Sequence, residues 1–188
     1  MDRSLATAVA QAGTCTVEGT FERHASLGHR KLSGSAGGGR WGPAGAYPVL
    51  YLGRPRDSVI VEAYRHLVEP TEGMRPELVG PRRLLVCRVR ITQVLDLRST
   101  ENVEMVGLDE ANLFSDIDQH GPCQRVGQVA HQLGLHGIIA PAATGLGETL
   151  AVFERRLPAS EQPTIESELV WNELPADPRK LRLIDGTK

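Results

Sequence analysis

Three consecutive glycines, Gly37, Gly38 and Gly39, followed at once by Arg40 and Trp41, constrain this chain more than any other feature. Glycine takes backbone conformations closed to other residues and lets another group approach the main chain, so a loop has to cross this point. After Gly42-Pro43 and Gly45, the run Tyr47 to Gly53 (YPVLYLG) reads as a short buried strand. Pro48 suits an edge position or the first residue of that strand. Pro55 and then Asp57 or Ser58 open a helix, with Asp57 the expected N-cap. Gly37 to Val68 is thus one unit of loop, strand and helix.

The polar residues of this unit carry its chemistry. Arg40 is a permanent cation whose planar fork suits phosphate or carboxylate. On a helix advancing about 100° per residue, Val59, Ile60, Ala63 and Leu67 share one side, with Tyr64 at its edge. Glu62 falls opposite the centre of that stripe, one turn before His66. A lone glutamate there is ordinarily a solvated charge. Its company is what points elsewhere: Arg40 on a glycine loop, Tyr51 at a strand end and Glu62 on a helix follow one another at equal intervals.

Around this unit the pattern is of short strands and helices. Met1 to Gln11 reads as a short helix stopped by Gly13, a frayed extension of little functional weight. Thr14 to Phe21 alternates as a strand leading to Arg23. Gly28 to Gly39 is a connection or a mobile cover over a ligand. Glu69 to Arg83 reads as a polar, proline-rich surface excursion, and Leu84 to Ile91 as a half-buried strand with Arg88 and Arg90 on its solvated face. Val94 to Leu97 continues or repairs that strand after a bend, and Leu108 to Ile117 reads as a short helix whose acids Asp109, Glu110, Asp116 and Asp118 are solubilising. Pro122 begins a further helix with Val126, Val129, Ala130 and Leu133 on its apolar face and Gly134 as its stop; Gln124 and His131 are candidates to face a ligand. Gly137 to Pro141 is a buried strand, Glu148 to Arg155 its partner, and Glu168 to Trp171 an edge addition or an oligomer contact.

Composition narrows the function classes. Aromatic residues make up 4% of the chain, too few for a base-stacking platform. A net charge of -2 gives no overall pull toward nucleic acid or anionic membrane. Cys15, Cys87 and Cys123 are odd in number and widely spaced, which fits a reducing cytoplasm. No apolar run reaches the roughly 18 residues that span a bilayer, and the N-terminus lacks the pattern of a signal peptide. His24, His29 and His66 lack the spacing and partners of a zinc site. Lys31 does not sit in a Walker loop, and no GxGxxG joins a strand to a helix. Rossmann-type dinucleotide binding is therefore unsupported.

The string GGRW-x-PAG-x(3)-VLYLG-x(8)-E, the segment FERHAS (Phe21 to Ser26), the lead-in LSGSAGGGRW and the late CQRVGQVAHQLGLHGIIAPAATGLGETLAVFERRL together resemble the RES domain. The resemblance runs from about Thr20 to about Leu157 and divides the chain into an N-terminal extension (1–16), a RES-like catalytic domain (17–158) and a C-terminal extension (159–188). It implies an α+β single domain like that of ADP-ribosyltransferases, a mixed and largely antiparallel sheet with flanking helices. It also implies a cytoplasmic bacterial toxin that degrades NAD+ by phosphorolysis or hydrolysis of the nicotinamide–ribose bond, paired with an Xre-like helical antitoxin. NAD+ is then a substrate rather than a cofactor, inorganic phosphate a candidate co-substrate, and no metal is implied. Carried over by motif, Arg23 and Arg40 hold phosphates, Tyr51 lines the nicotinamide ribose and Glu62 sits at the reacting sugar. One departure stands out: Ala142, in Pro141-Ala142-Ala143-Thr144, occupies the place of the family's serine. Thr144 supplies the missing hydroxyl, or the role is dispensable, or activity is weakened. An ADP-ribosyltransferase acting on a macromolecule and a weakly active or non-catalytic binder are the alternatives.

Overall fold

The strand that begins at Arg82 does not stop where its alternation is interrupted. Gln93 takes a left-handed conformation (φ 51°), and here the pairing slips, so that Val17 faces Ile91 while Cys15 faces Val94. This bulge adds one residue and reverses the phase of alternation. Ile91 and Val94 both face inward, while Leu95 turns to the other side. The bend expected near Val94 is thus a β-bulge in one strand of 15 residues.

The computed structural model describes residues 2–29, 31–115 and 119–180. Its elements are α1 (Arg3–Ala12), β1 (Thr14–Ser26), β2 (Leu50–Arg54), α2 (Arg56–Leu67), β3 (Arg82–Asp96), α3 (Thr100–Met105), α4 (Glu110–Phe114), α5 (Gly121–Gln132), β4 (Gly137–Pro141), β5 (Glu148–Val152) and β6 (Thr164–Trp171). The strands lie in the order β1-β2-β5-β4-β3-β6, and β1 also pairs with β3. The first five therefore close into a barrel, with β6 an added edge on β3. Only β3 and β4 run parallel; the other pairs are antiparallel. The class is α+β, as the resemblance implied, but the sheet is rolled shut.

Inside the barrel pack Val17, Phe21, Leu50, Leu52, Leu85, Cys87, Ile91, Ile139 and Leu150. Two outer faces are covered. One lies beneath α1, α3, α4 and α5 and includes Val9, Trp41, Leu95, Val126, Ile138 and Ala151. On the other, Leu84 and Trp171 meet Val59, Ile60, Ala63 and Tyr64 of α2. The first helix is not frayed: Val9 is fully buried, a burial that contributes about 1.5–3 kcal/mol, and Asp2 caps Ser4 and Leu5.

Several local expectations need correction. Strand β2 starts at Leu50, so Tyr47 and Pro48 precede it, and it lies between two neighbours rather than on an edge. Helix α2 starts at Arg56, with Pro55 in the N-cap position and no side-chain cap; Asp57 lies in the first turn, where a carboxylate favours the helix dipole. Val61 is fully buried as well, so α2 is covered on more than its predicted stripe. Asp109 is not merely solubilising: it forms a capping box with Asn112. The expected helix from Leu108 to Ile117 is the shorter α4, and Asp116, Ile117 and Asp118 lie outside the described residues. Leu133 ends α5 exposed rather than buried. Arg88 and Arg90 do lie on a solvated face, within 3.8 and 3.7 Å of Glu166 and Glu18. Among the described residues no helix is long and apolar enough to cross a membrane.

Candidate functional site

The register of β2, β5 and β4 lays down a floor. Tyr51, Ala151 and Ile138 form one cross-strand row, and Gly53, Thr149 and Ala140 the next. Directly opposed residues share a face, so Tyr51 looks out of the barrel over small neighbours. Alternation along β4 carries Ala142 to the same face, one row beyond Ala140, where it is buried and its N–H donates to Gly147 O at 3.0 Å.

Helix α2 turns back beside β1 and β2. A side-chain carbon on Gly53 would sit 3.1 Å from Val59 Cγ2, so the helix runs beside β2 in the opposite direction, and Glu62, one turn after Val59, is brought toward Tyr51. The charge of Glu62 reaches both the Tyr51 hydroxyl and the Arg40 guanidinium. Three residues that the sequence spaced along a loop, a strand and a helix are thereby gathered at one place. Glu62 is 41% exposed at its side chain and pairs with His66 Nδ1 at 3.3 Å, so solvent and ligands can reach it.

The glycine loop is fastened on top. Tyr51 accepts a hydrogen bond from Trp41 N at 2.9 Å, Tyr47 donates to Trp41 O at 3.1 Å, and Gln124 of α5 donates to Gly39 O at 3.0 Å. A side chain on Gly39 would lie 2.7 Å from the Tyr51 hydroxyl, so only glycine lets the loop rest on that ring. Trp41 itself is 1% exposed. Burial pushes the Tyr51 hydroxyl up to about 12, which keeps it protonated at neutral pH and able to donate onward. Tyr51→Phe is expected to leave Trp41 N–H without an acceptor and to cost about 1–3 kcal/mol, read as a lower urea midpoint, with loss of activity as the loop loosens.

Arg40 points from this loop toward α4. Its Nη1 donates to Asn112 O at 2.6 Å and to Ser115 Oγ at 3.3 Å, and its Nη2 to Ser115 O at 2.8 Å. Those carbonyls belong to the end of a helix, where cations are favoured. The guanidinium thus ties the glycine loop to α4 while lying within electrostatic reach of Glu62, Arg65 and Cys123.

The remaining sequence candidates are placed differently. Arg23 shares the inward parity of Phe21 on β1 and donates to Ser33 O at 2.7 Å, with Glu154 the carboxylate that reaches it. It therefore braces the connection at Ser33. The Thr144 hydroxyl lies 3.0 Å from that of the buried Ser58 and holds Leu146 N at 3.2 Å, which fastens the β4–β5 loop to the start of α2. Gln124 holds the glycine loop, and His131 stacks on Tyr47 with ring centroids 3.9 Å apart; both are structural here. The sequence offered Ser58 only as an alternative opener of α2. Its place one turn before Glu62 was the available signal.

Comparison with known proteins gives the family and the fold. The sequence profile of the RES domain matches residues 17–172. The chain is 31% identical over 159 residues, covering 83% of it and 84% of the relative, to a protein named NAD(+) phosphorylase MbcT from Mycobacterium tuberculosis and Mycobacterium bovis. A second M. tuberculosis protein, named a probable NAD(+) phosphorylase, is 33% identical over 84% of the chain and 75% of its own length. The fold superposes on the crystal structure of the M. tuberculosis MbcT-MbcA toxin-antitoxin complex with a TM-score of 0.79 at 26% identity, covering 99% of each chain.

Proposed function

Because this chain belongs to the RES domain family, we propose that it is an NAD+-cleaving toxin that transfers the ADP-ribosyl group to inorganic phosphate. The observation that carries the reading is the similarity to NAD(+) phosphorylases across most of both chains, supported by the convergence of Arg40, Tyr51 and Glu62.

The chemistry suits so small a set of groups. Breaking the nicotinamide–ribose bond releases a neutral pyridine from a cationic pyridinium, so the leaving group needs no proton, unlike an ordinary glycoside. Positive charge builds on the ribose carbon and ring oxygen, and one carboxylate held near them stabilises it. Glu62 fills that role. Tyr51, held protonated, offers a donor to a sugar oxygen, and Arg40 keeps the glycine loop over the substrate while adding positive potential toward phosphate oxygens. The structural neighbour is held in a toxin-antitoxin complex; the partner proposed for this chain is an antitoxin, an Xre-like helical protein that covers the site around Glu62.

The test is to incubate purified protein with NAD+, with and without inorganic phosphate, and to resolve products by chromatography and mass. Phosphorolysis predicts loss of NAD+ with phosphorylated ADP-ribose forming only when phosphate is present. Plain ADP-ribose in both samples would make the protein a hydrolase, and intact NAD+ in both would sink the reading.

Ala142→Ser bears on the one departure from the family pattern. The hydroxyl would enter a buried position on the Tyr51 face. The expected outcome is a higher kcat at unchanged melting temperature, measured in the same assay; an unchanged rate would remove position 142 from the site.

A further inference from the structure

Near Glu62 lies a cluster of basic side chains in which Arg82 has no carboxylate partner among the described residues. Arg82 on β3 stands opposite Ser26 on β1 and Trp171 on β6, with its stem half-buried. Its Nη2 donates to His24 Nδ1 at 3.3 Å, while its buried Nε–H has no acceptor among the described residues. Arginine only donates, so His24 Nδ1 is the acceptor and the ring proton sits on Nε2. The charges that reach His24 come from Arg82, His66 and Arg23, all positive. Arg82 makes no ion pair with any described residue, and burial alone perturbs it. His66 closes the set, with Glu62 Oε1 3.3 Å from its Nδ1. Half-buried cations are costly without an anion, and a buried donor without a partner in a native fold calls for an explanation.

We propose that Arg82, His24 and His66 form a binding site for a phosphate group beside Glu62. On the phosphorylase reading above, on which this assignment rests, the occupant is the inorganic phosphate that attacks the ribose. Arg82 supplies the orphaned Nε–H, a charge-assisted donor to a phosphate oxygen; His24 supplies Nε2–H, and His66 a second imidazole on the solvent side. Glu62, one helical turn away, faces the opposite sign of charge, so the acceptor anion and the carboxylate are held apart by His66 rather than left in direct contact. Burial and the neighbouring cations hold the His24 imidazole down to about 3, so in the empty site it is a neutral donor throughout the physiological range. A bound dianion would raise it.

The experiment has a binding arm and a kinetic arm, each on wild type, Arg82→Gln, Arg82→Lys and the control Arg90→Gln, whose residue is exposed on the solvated face. Inorganic phosphate is titrated into the protein, with its 31P line width and the imidazole resonances of His24 and His66 recorded by NMR. Saturable broadening and an upward move of the His24 titration in wild type are expected, lost in Arg82→Gln and partly kept in Arg82→Lys. In turnover, the KM for phosphate is expected to rise about tenfold or more in Arg82→Gln, with the KM for NAD+ unchanged and thermal melting showing an intact fold. A rise in the KM for NAD+ alone would assign the site to the pyrophosphate of the dinucleotide and overturn its assignment to inorganic phosphate. No binding by NMR and no change in either KM would overturn the site altogether. Because the NMR arm needs no turnover, it stands even where the phosphorylase reading fails.

Discussion

Glu62→Gln lowers the kcat of NAD+ cleavage by about a hundredfold or more while leaving the fold intact: this is the largest functional effect expected of any single change. The magnitude follows from what removal of one preorganised electrostatic partner typically costs at a site of developing charge. The substitution keeps size and shape and removes only the negative charge that faces the oxocarbenium-like ribose. Substrate affinity should change less than kcat, because in the bound ground state the positive charge sits on the pyridinium and moves onto the ribose, which Glu62 faces, only in the transition state. Structural damage is excluded in advance by the position of the side chain, which is 41% exposed and pairs with a histidine that is itself 50% exposed. Turnover and circular dichroism on the same preparation check both halves. A variant that consumes NAD+ at the parental rate would remove Glu62 from the mechanism.

The largest structural effect is expected at Gly127, and its sign is opposite to the usual one. Within a helix, glycine is worse than alanine by roughly 1 kcal/mol, so Gly→Ala in α5 should ordinarily stabilise. Here a Cβ would lie 2.1 Å from Trp41 O and 2.8 Å from Trp41 C. Those are backbone atoms of the loop that Tyr51, Tyr47 and Gln124 hold down, so no rotamer change can relieve the contact. Overpacking of this kind costs about 1–3 kcal/mol and occasionally more, enough to exceed the helix gain. Gly127→Ala should therefore lower the melting temperature and, by lifting Arg40 and Trp41 from the floor, depress activity more than stability alone explains. Gly80→Ala is the comparison, since a Cβ there meets nothing within 4 Å, and it should be nearly neutral.

Gly127 also illustrates what a single sequence does and does not disclose. The helix around it was legible, because Pro122, the spacing of Val126, Val129 and Ala130, and Gly134 at φ 81° are local signals. That its glycine exists to admit Trp41 is a contact between distant parts of the chain, and no periodicity encodes it. The same division holds at the site. Tyr51 and Glu62 were singled out because they follow Arg40 at equal intervals in a string that resembles the RES domain. The tie from Arg40 to the end of α4, the inward turn of Arg23 and the pairing of Ser58 with Thr144 depend on which strand lies beside which. Closure of the barrel was hidden for the same reason: β3 had to be read through its bulge at Gln93 before it could reach β4. Arg82 looked like one more basic residue in a polar excursion; the neighbouring Arg83 also has a buried Nε–H without an acceptor, but it pairs with Glu168, whereas Arg82 has no carboxylate partner among the described residues.

The place of β2 between β1 and β5 has a consequence for the cell that makes this protein. On the ribosome, Tyr51 and Glu62 emerge early, yet the strand that bears Tyr51 keeps one edge unsatisfied until Glu148–Val152 has been translated. The site is then completed only after that segment has left the exit tunnel. Unfinished or prematurely terminated copies carry every residue of the Arg40, Tyr51 and Glu62 cluster but not the floor that aligns them. Under the proposed function, a nascent chain that has not reached Glu148–Val152 is therefore inactive, an interval in which a folded inhibitor can already be waiting.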